Sequence, residues 1–143
     1  MNPCFTPKII TRTITPYKPL QLYIQGFLDC IFIIATMRGS VSEWISVDLN
    51  QAIPFFDETS AAQQDQLPLP HLSAKFLLGA SHLPRADFAQ MLACQVASYI
   101  LRNSVKENRM VLVGFGLDWT DDLEGQRSIY NNVLEMLQQC KVW

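Results

Sequence analysis

Leu20-Gln21-Leu22-Tyr23-Ile24-Gln25 alternates side chain by side chain, and Phe27-Leu28-Asp29-Cys30-Ile31-Phe32-Ile33-Ile34-Ala35-Thr36 follows as a nearly continuous apolar, β-branched run. A period of two turns every second residue toward a core, so the first stretch predicts a half-buried strand. The second is fit for a central strand. Working outward, Lys8 to Thr15 is rich in Ile and Thr and predicts a partner strand around a turn at Pro16 to Pro19. On the other side, Arg38-Gly39-Ser40 supplies a tight turn into Glu43 to Leu49. There Ile45, Val47 and Leu49 face one way and Trp44, Ser46 and Asp48 the other. The pattern predicts a meander of four strands.

Residues 50–70 contain Pro54, Pro68, Pro70 and a polar stretch from Asp57 to Gln66. Such a segment buries too little apolar area to offset its ordering entropy, which predicts a flexible loop. Phe55-Phe56 within it is a candidate for partner contact, because long loops in compact domains are often functional.

Leu72, Ala74, Phe76 and Leu78 alternate with Ser73 and Lys75 up to Gly79 and predict a fifth strand. A helix follows, with Ser81 as N-cap, Pro84 in the first turn and Asp87 complementing the dipole. Its polar stripe, Asp87, Gln90, Met91, Gln95, Ser98 and Arg102, spans only about 140° at ~100° per residue. Met110 to Phe115 predicts a sixth strand buried on both faces. Ile129, Val133, Met136, Leu137 and Cys140 recur at helical spacing and predict a last helix that starts within Asp118 to Glu124. The expected fold class is α+β, a six-stranded antiparallel sheet or sandwich flanked by helices in the order β-β-β-β-β-α-β-α. One domain over residues 1–143 accounts for the whole pattern.

Composition narrows the function classes. With 143 residues and 49% hydrophobic content the chain can bury a core without metal or disulfide staples. Eleven Lys and Arg against thirteen Asp and Glu, with no run of either sign, argue against a nucleic-acid partner. The longest apolar run falls far short of the ~20 residues of a bilayer span, so no membrane segment is expected. The opening stretch is broken by Pro3, Pro7 and Pro16 and lacks a secretory leader pattern, which makes cytoplasm and nucleus the expected locations. Cys4, Cys30, Cys94 and Cys140 form no C-x-x-C pair and read as reduced thiols, mostly within apolar segments.

The search for chemistry returns nothing specific. Gly114-Phe115-Gly116 follows a strand and precedes a helix, as in a dinucleotide-binding turn, but Trp119 stands where the third glycine is needed. Relief of crowding where the strand leaves the core explains these glycines better. Asp118, Asp121, Asp122 and Glu124 lack calcium-loop spacing, and Asp121 or Asp122 suits the cap of the last helix. His71 and His82 have no imidazole or thiolate at ligand spacing; a pairing of His71 with Cys30 is the weaker alternative to a plain core thiol. No catalytic residue, cofactor site or metal site is expected, and the chain reads as a non-enzyme. Surfaces remain, with Phe55, Phe56 and Trp119 as candidate protein-interface residues.

Ser73-Ala74-Lys75-Phe76-Leu77-Leu78-Gly79, the helix after it, Arg109-Met110-Val111-Leu112-Val113 and the terminal Cys140-Lys141-Val142-Trp143 together resemble the proteasome assembly chaperone 3 family, as a fungal-like or divergent member. The resemblance covers about half the chain closely and the rest in outline. It implies an antiparallel sheet flanked by helices and a heterodimer with a chaperone 4-like subunit. It further implies binding of a proteasome α-type subunit, chiefly α5, to promote assembly of the 20S α ring, with no catalysis or cofactor. Val142 and Trp143 would then anchor the last helix by packing. Two other readings stay open: a small cytosolic ligand-binding domain or enzyme using the Gly114–Gly116 turn or a cysteine, and a scaffold that dimerises through a sheet edge.

Overall fold

The computed structural model describes residues 7–15, 18–49, 72–80, 83–104, 106–118 and 123–140. The elements are β1 (Lys8–Thr15), β2 (Lys18–Gly26), β3 (Cys30–Thr36), β4 (Glu43–Asp48), β5 (Ala74–Leu78), α1 (Pro84–Asn103), β6 (Met110–Gly116) and α2 (Leu123–Gln139). The order matches the expected β-β-β-β-β-α-β-α, and the fold is α+β. The 50–70 segment, Ser81, Asp121, Asp122 and the tail after Cys140 lie outside the described residues.

The strands form one sheet in the order β1-β2-β3-β6-β4-β5. Two features depart from a simple antiparallel meander. β6 lies between β3 and β4, and it runs parallel to β3 while antiparallel to β4. The sheet is therefore mixed, though mostly antiparallel. The β3–β4 connection, residues 37–42, must step over the end of β6, a lateral move of roughly 10 Å for two strand spacings. Gly39 takes a φ of 74°, which lets this connection turn tightly. Backbone hydrogen bonds from Met37 N–H to the Gly116 carbonyl (2.9 Å) and from Ser42 N–H to the Phe115 carbonyl (2.8 Å) bind the crossing to the strand beneath.

Pro19 falls within β2 rather than in the turn before it, opposite Thr13 of β1. The β2–β3 pairing begins only at Gln21, so no ladder donor is needed from Pro19 on that side.

Alternation sorts the sheet into two faces. Leu20, Leu22 and Ile24 of β2, Ile31, Ile33 and Ala35 of β3, Val111, Val113 and Phe115 of β6, and Ile45 and Val47 of β4 are all buried. They join the buried residues of α1 and α2 in one core cluster. α1 packs on β4, β5 and β6, and α2 packs on β1 and β2, with the two helices touching each other. Both helices therefore lie on the same side of the sheet. The predicted apolar stripe of α2 is correct at Ile129, Val133, Met136 and Leu137, with Cys140 just beyond the helix also buried.

α1 departs from expectation on its polar stripe, where Gln95 and Ser98 are buried. Ser98 Oγ donates 2.6 Å to the Cys94 carbonyl one turn back, which satisfies the hydroxyl inside the helix itself. Leu83 occupies the N-cap without a side-chain hydrogen bond.

Candidate protein interface

The residues singled out for partner contact, Phe55, Phe56 and Trp119, lie outside the described residues, as do His71 and His82 and hence the His71–Cys30 pairing. Gly114, Phe115 and Gly116, read from the sequence as a turn after the sixth strand, instead lie within β6, and packing explains both glycines. A Cβ at Gly114 would stand 2.9 Å from Trp44 Cζ3 and 3.0 Å from Val41 Cγ1. One at Gly116 would stand 1.7 Å from the Ser40 carbonyl oxygen. The first glycine lets the indole lie against β6, and the second lets the β3–β4 connection pass.

Burial pushes the thiols of Cys30, Cys94 and Cys140 above their ordinary value. At Cys30 the Asp29 carboxylate adds to the rise and Arg109 opposes it. The neutral thiol thus dominates near pH 7 at all three, the opposite of what a thiolate nucleophile requires. Among the described residues no group of three His, Cys, Asp or Glu comes together to hold a metal ion, and no helix is long and apolar enough to cross a membrane.

What the fold assembles is a surface. The sheet face turned away from the helices carries Tyr23 of β2, Phe32 and Ile34 of β3, Leu112 of β6 and Trp44 of β4, all half-buried. Their rings form a row: Tyr23 meets Phe32 edge-on at 6.2 Å, and Phe32 meets Trp44 at 5.4 Å. Aromatic contacts at these separations add stabilisation beyond area and hold the rings in one arrangement. Tyr23 Oη donates to Gln25 Oε1, which keeps the phenol flat along its own strand.

β5 extends the row through an irregularity that alternation did not reveal. Simple period two puts Leu78 on the same face as Ala74 and Phe76. The register instead shifts, with Phe76 opposite Ile45 and Leu78 opposite Trp44. A bulge of this kind rotates the following residue to the other side of the sheet. Leu78 therefore emerges beside Trp44, 66% exposed. Leu78, Trp44, Leu112, Phe32 and Tyr23 thus form an apolar band across five strands.

At the start of β3 the band meets the β2–β3 turn, where Phe27 packs edge-on against Phe32 at 6.4 Å and Leu28 is 84% exposed. Arg109 ties this turn down. Its Nη1 donates 3.0 Å to the Phe27 carbonyl, while Nε and Nη2 donate 2.8 and 2.9 Å to the two oxygens of Glu107. The forked contact with Arg109 outweighs the effect of burial and holds the Glu107 carboxyl below its usual value.

A mostly antiparallel sheet backed by two helices on one side has a solved counterpart. A chain of a chaperone complex for yeast 20S proteasome assembly superposes with a TM-score of 0.65 at 18% identity, covering 92% of this chain and 98% of that one. The two chains share a fold. No protein-family model matches this sequence, and no curated protein does at a significant level. The likeness therefore rests on backbone architecture over nearly the full length of both chains, not on shared residues. Within that fold, the band had a partial sequence signal: the outward set Trp44, Ser46 and Asp48 of β4 was readable. Tyr23 was readable too, since it alternates with Leu22 and Ile24, whereas Phe32 and Leu112 lie in continuous apolar runs that carry no alternation.

Proposed function

We propose that this chain is a non-catalytic chaperone of 20S proteasome assembly. It works as one half of a heterodimer with a chaperone 4-like subunit, and the pair holds an α-type subunit, α5, while the α ring forms in the cytoplasm and nucleus. The observation that carries the reading is the apolar band Leu78–Trp44–Leu112–Phe32–Tyr23, on a sheet whose fold is that of a yeast proteasome assembly chaperone complex chain. The choice of chaperone 4 and α5 as partners follows from the resemblance of residues 73–79, 109–113 and 140–143 to the chaperone 3 family.

The size of the face suits a partner that must later leave. Six strands at roughly 4.8 Å spacing, each about seven residues long, give a face of roughly 650 Å² before side-chain relief is counted. That approaches the roughly 800 Å² per partner of an ordinary specific interface, well below an obligate one.

Co-purification tests the proposal. Tagged chain expressed in a fungal host is expected to retain a small subunit of similar fold together with a proteasome α subunit. In a reconstitution it should sediment as a one-to-one complex with a chaperone 4 homologue. Recovery of the chain with neither partner overturns the assignment.

A further inference from the structure

At the carboxyl ends of the parallel strands β3 and β6 lies a second feature, a cleft of about 350 Å³ lined by Arg38, Ser40, Ser42, Arg85, Gly116 and Asp118. It sits at the end of the sheet rather than on the open face. Carboxyl ends of neighbouring parallel strands are where open sheets most often receive ligands.

Two ion pairs form its walls. Arg38 Nη2 contacts Asp118 Oδ1, and Arg85 Nε stands 3.0 Å from Glu43 Oε1. The two pairs point the same way. The Glu43 side chain is wholly buried and Asp118 is 14% exposed, whereas the Arg85 and Arg38 side chains are 38% and 70% exposed. Each pair is thus a dipole with its carboxylate at the floor and its guanidinium toward the mouth. Glu43 is held in place from behind, since Ser42 Oγ donates 2.7 Å to its Oε2. α1 begins at Pro84 beside this mouth, and its N-terminus has no side-chain cap, which adds positive potential.

The floor is built rather than loose. Thr36 Oγ1 donates 2.8 Å to the Ser40 carbonyl, and that carbonyl rests where a Cβ on Gly116 would stand. A single carboxylate uses only part of the five N–H donors of a guanidinium, so Arg38 and Arg85 retain capacity to bind a further acceptor at the mouth. A dianion is disfavoured, because the Glu43 and Asp118 carboxylates lie immediately behind. The chain as a whole has a formal charge of −2, so the positive mouth is a local feature and not part of a general basic surface.

We infer that this cleft accepts a carboxylate side chain from an acidic segment of a partner protein. The guanidinium groups of Arg38 and Arg85 grip it from two sides, and the Ser40 and Gly116 backbone forms the base. The inference stands on this cleft alone and is independent of the identity of the chain that covers the open face.

The test is a backbone-amide NMR titration of the isotope-labelled full chain with three probes: a blocked peptide of alternating Glu and Gly, the same peptide with Lys in place of Glu, and inorganic phosphate. The acidic peptide is expected to shift the amides of Ser40, Ser42, Gly116 and Leu117 saturably, and the basic peptide to leave them unmoved. Arg38→Ser, at a side chain 70% exposed, removes a guanidinium from the mouth and should weaken binding roughly tenfold in a chain that still unfolds cooperatively. Arg85→Lys keeps the charge facing Glu43 but removes the fork and should weaken it as well. Absence of shifts, an equal response to the basic peptide, or unchanged affinity in Arg38→Ser overturns the inference. A stronger response to phosphate than to the acidic peptide overturns it in favour of a free-anion site.

Discussion

Trp44 lies against Gly114 of the neighbouring strand so closely that a Cβ on the glycine would fall 2.9 Å from the indole Cζ3. Two residues of opposite size thus make one element of the outer surface. The same strand has a second close approach at Gly116, and the two differ in what they meet. Gly114 faces the far edge of a side chain, which can move, while Gly116 faces the Ser40 backbone carbonyl at 1.7 Å, which cannot move without the whole β3–β4 connection. Gly114→Ala should cost roughly 1 kcal/mol and displace the ring. Gly116→Ala should cost roughly 3 kcal/mol or more. Denaturant melts of both variants check the order, and an equal cost at the two sites contradicts the packing described.

Substitutions on the two sheet faces should separate binding from stability. Leu78→Asp, at a side chain 66% exposed, is expected to change stability by no more than about 0.5 kcal/mol yet to abolish co-purification of a partner subunit. Ile33→Ala, on the helix-covered face at 1% exposure, should cost about 2 to 5 kcal/mol. Pull-down and thermal melting of both proteins give the comparison. Leu78→Asp that melts normally and still binds removes the open face from the interface.

The Glu43–Arg85 pair joins β4 to the first turn of α1 with its acid entirely buried. Removing one partner strands the other, so Arg85→Ala should destabilise by roughly 3 kcal/mol. The double substitution Glu43→Leu with Arg85→Met replaces both by apolar groups and should recover most of that loss. Equilibrium unfolding of the single and double variants measures the coupling; an additive result means that the two groups do not interact.

Glu107 supplies the pH prediction. Its carboxyl titrates below the ordinary glutamate value of 4.5 because Arg109 bonds to both oxygens. A group whose folded value is lowered contributes stability that is complete above the unfolded value and is lost as pH falls through the folded one. The native chain should therefore exceed Glu107→Gln in stability at pH 7, by roughly 1 kcal/mol, and the gap should close as pH falls below about 4.5. Arg109 also holds the Phe27 carbonyl, so the same variant should speed amide exchange around Phe27 and Leu28. A stability gap independent of pH rules out the Glu107 contact as its source.

Several features of this fold were legible because they are local. Alternation in Leu20, Leu22 and Ile24 and the three-and-four spacing of Ile129, Val133, Met136 and Leu137 identify buried faces without reference to any other element. Leu78 was misplaced by the same reasoning, because a bulge depends on the partner strand and leaves no mark on the period of its own. Ser98 was misplaced because a polar residue in a helix can be satisfied by its own backbone, as Ser98 is by Cys94, and Gln95 is buried as well.

The amino-acid sequence alone determined the order of the elements, the α+β class and which residues of β2, β4 and α2 turn inward. These follow from side-chain periodicity, which each segment carries within itself. Only the tertiary structure decided that β6 runs parallel to β3 and separates it from β4, that both helices lie on one face, and that Tyr23, Phe32, Trp44 and Leu78 share the other. It also decided that Arg38 and Arg85 meet at one cleft. Those relations are set by contacts between residues tens of positions apart. A strand's own pattern says which of its side chains face a core, but not which strand lies beside it or what covers its other face.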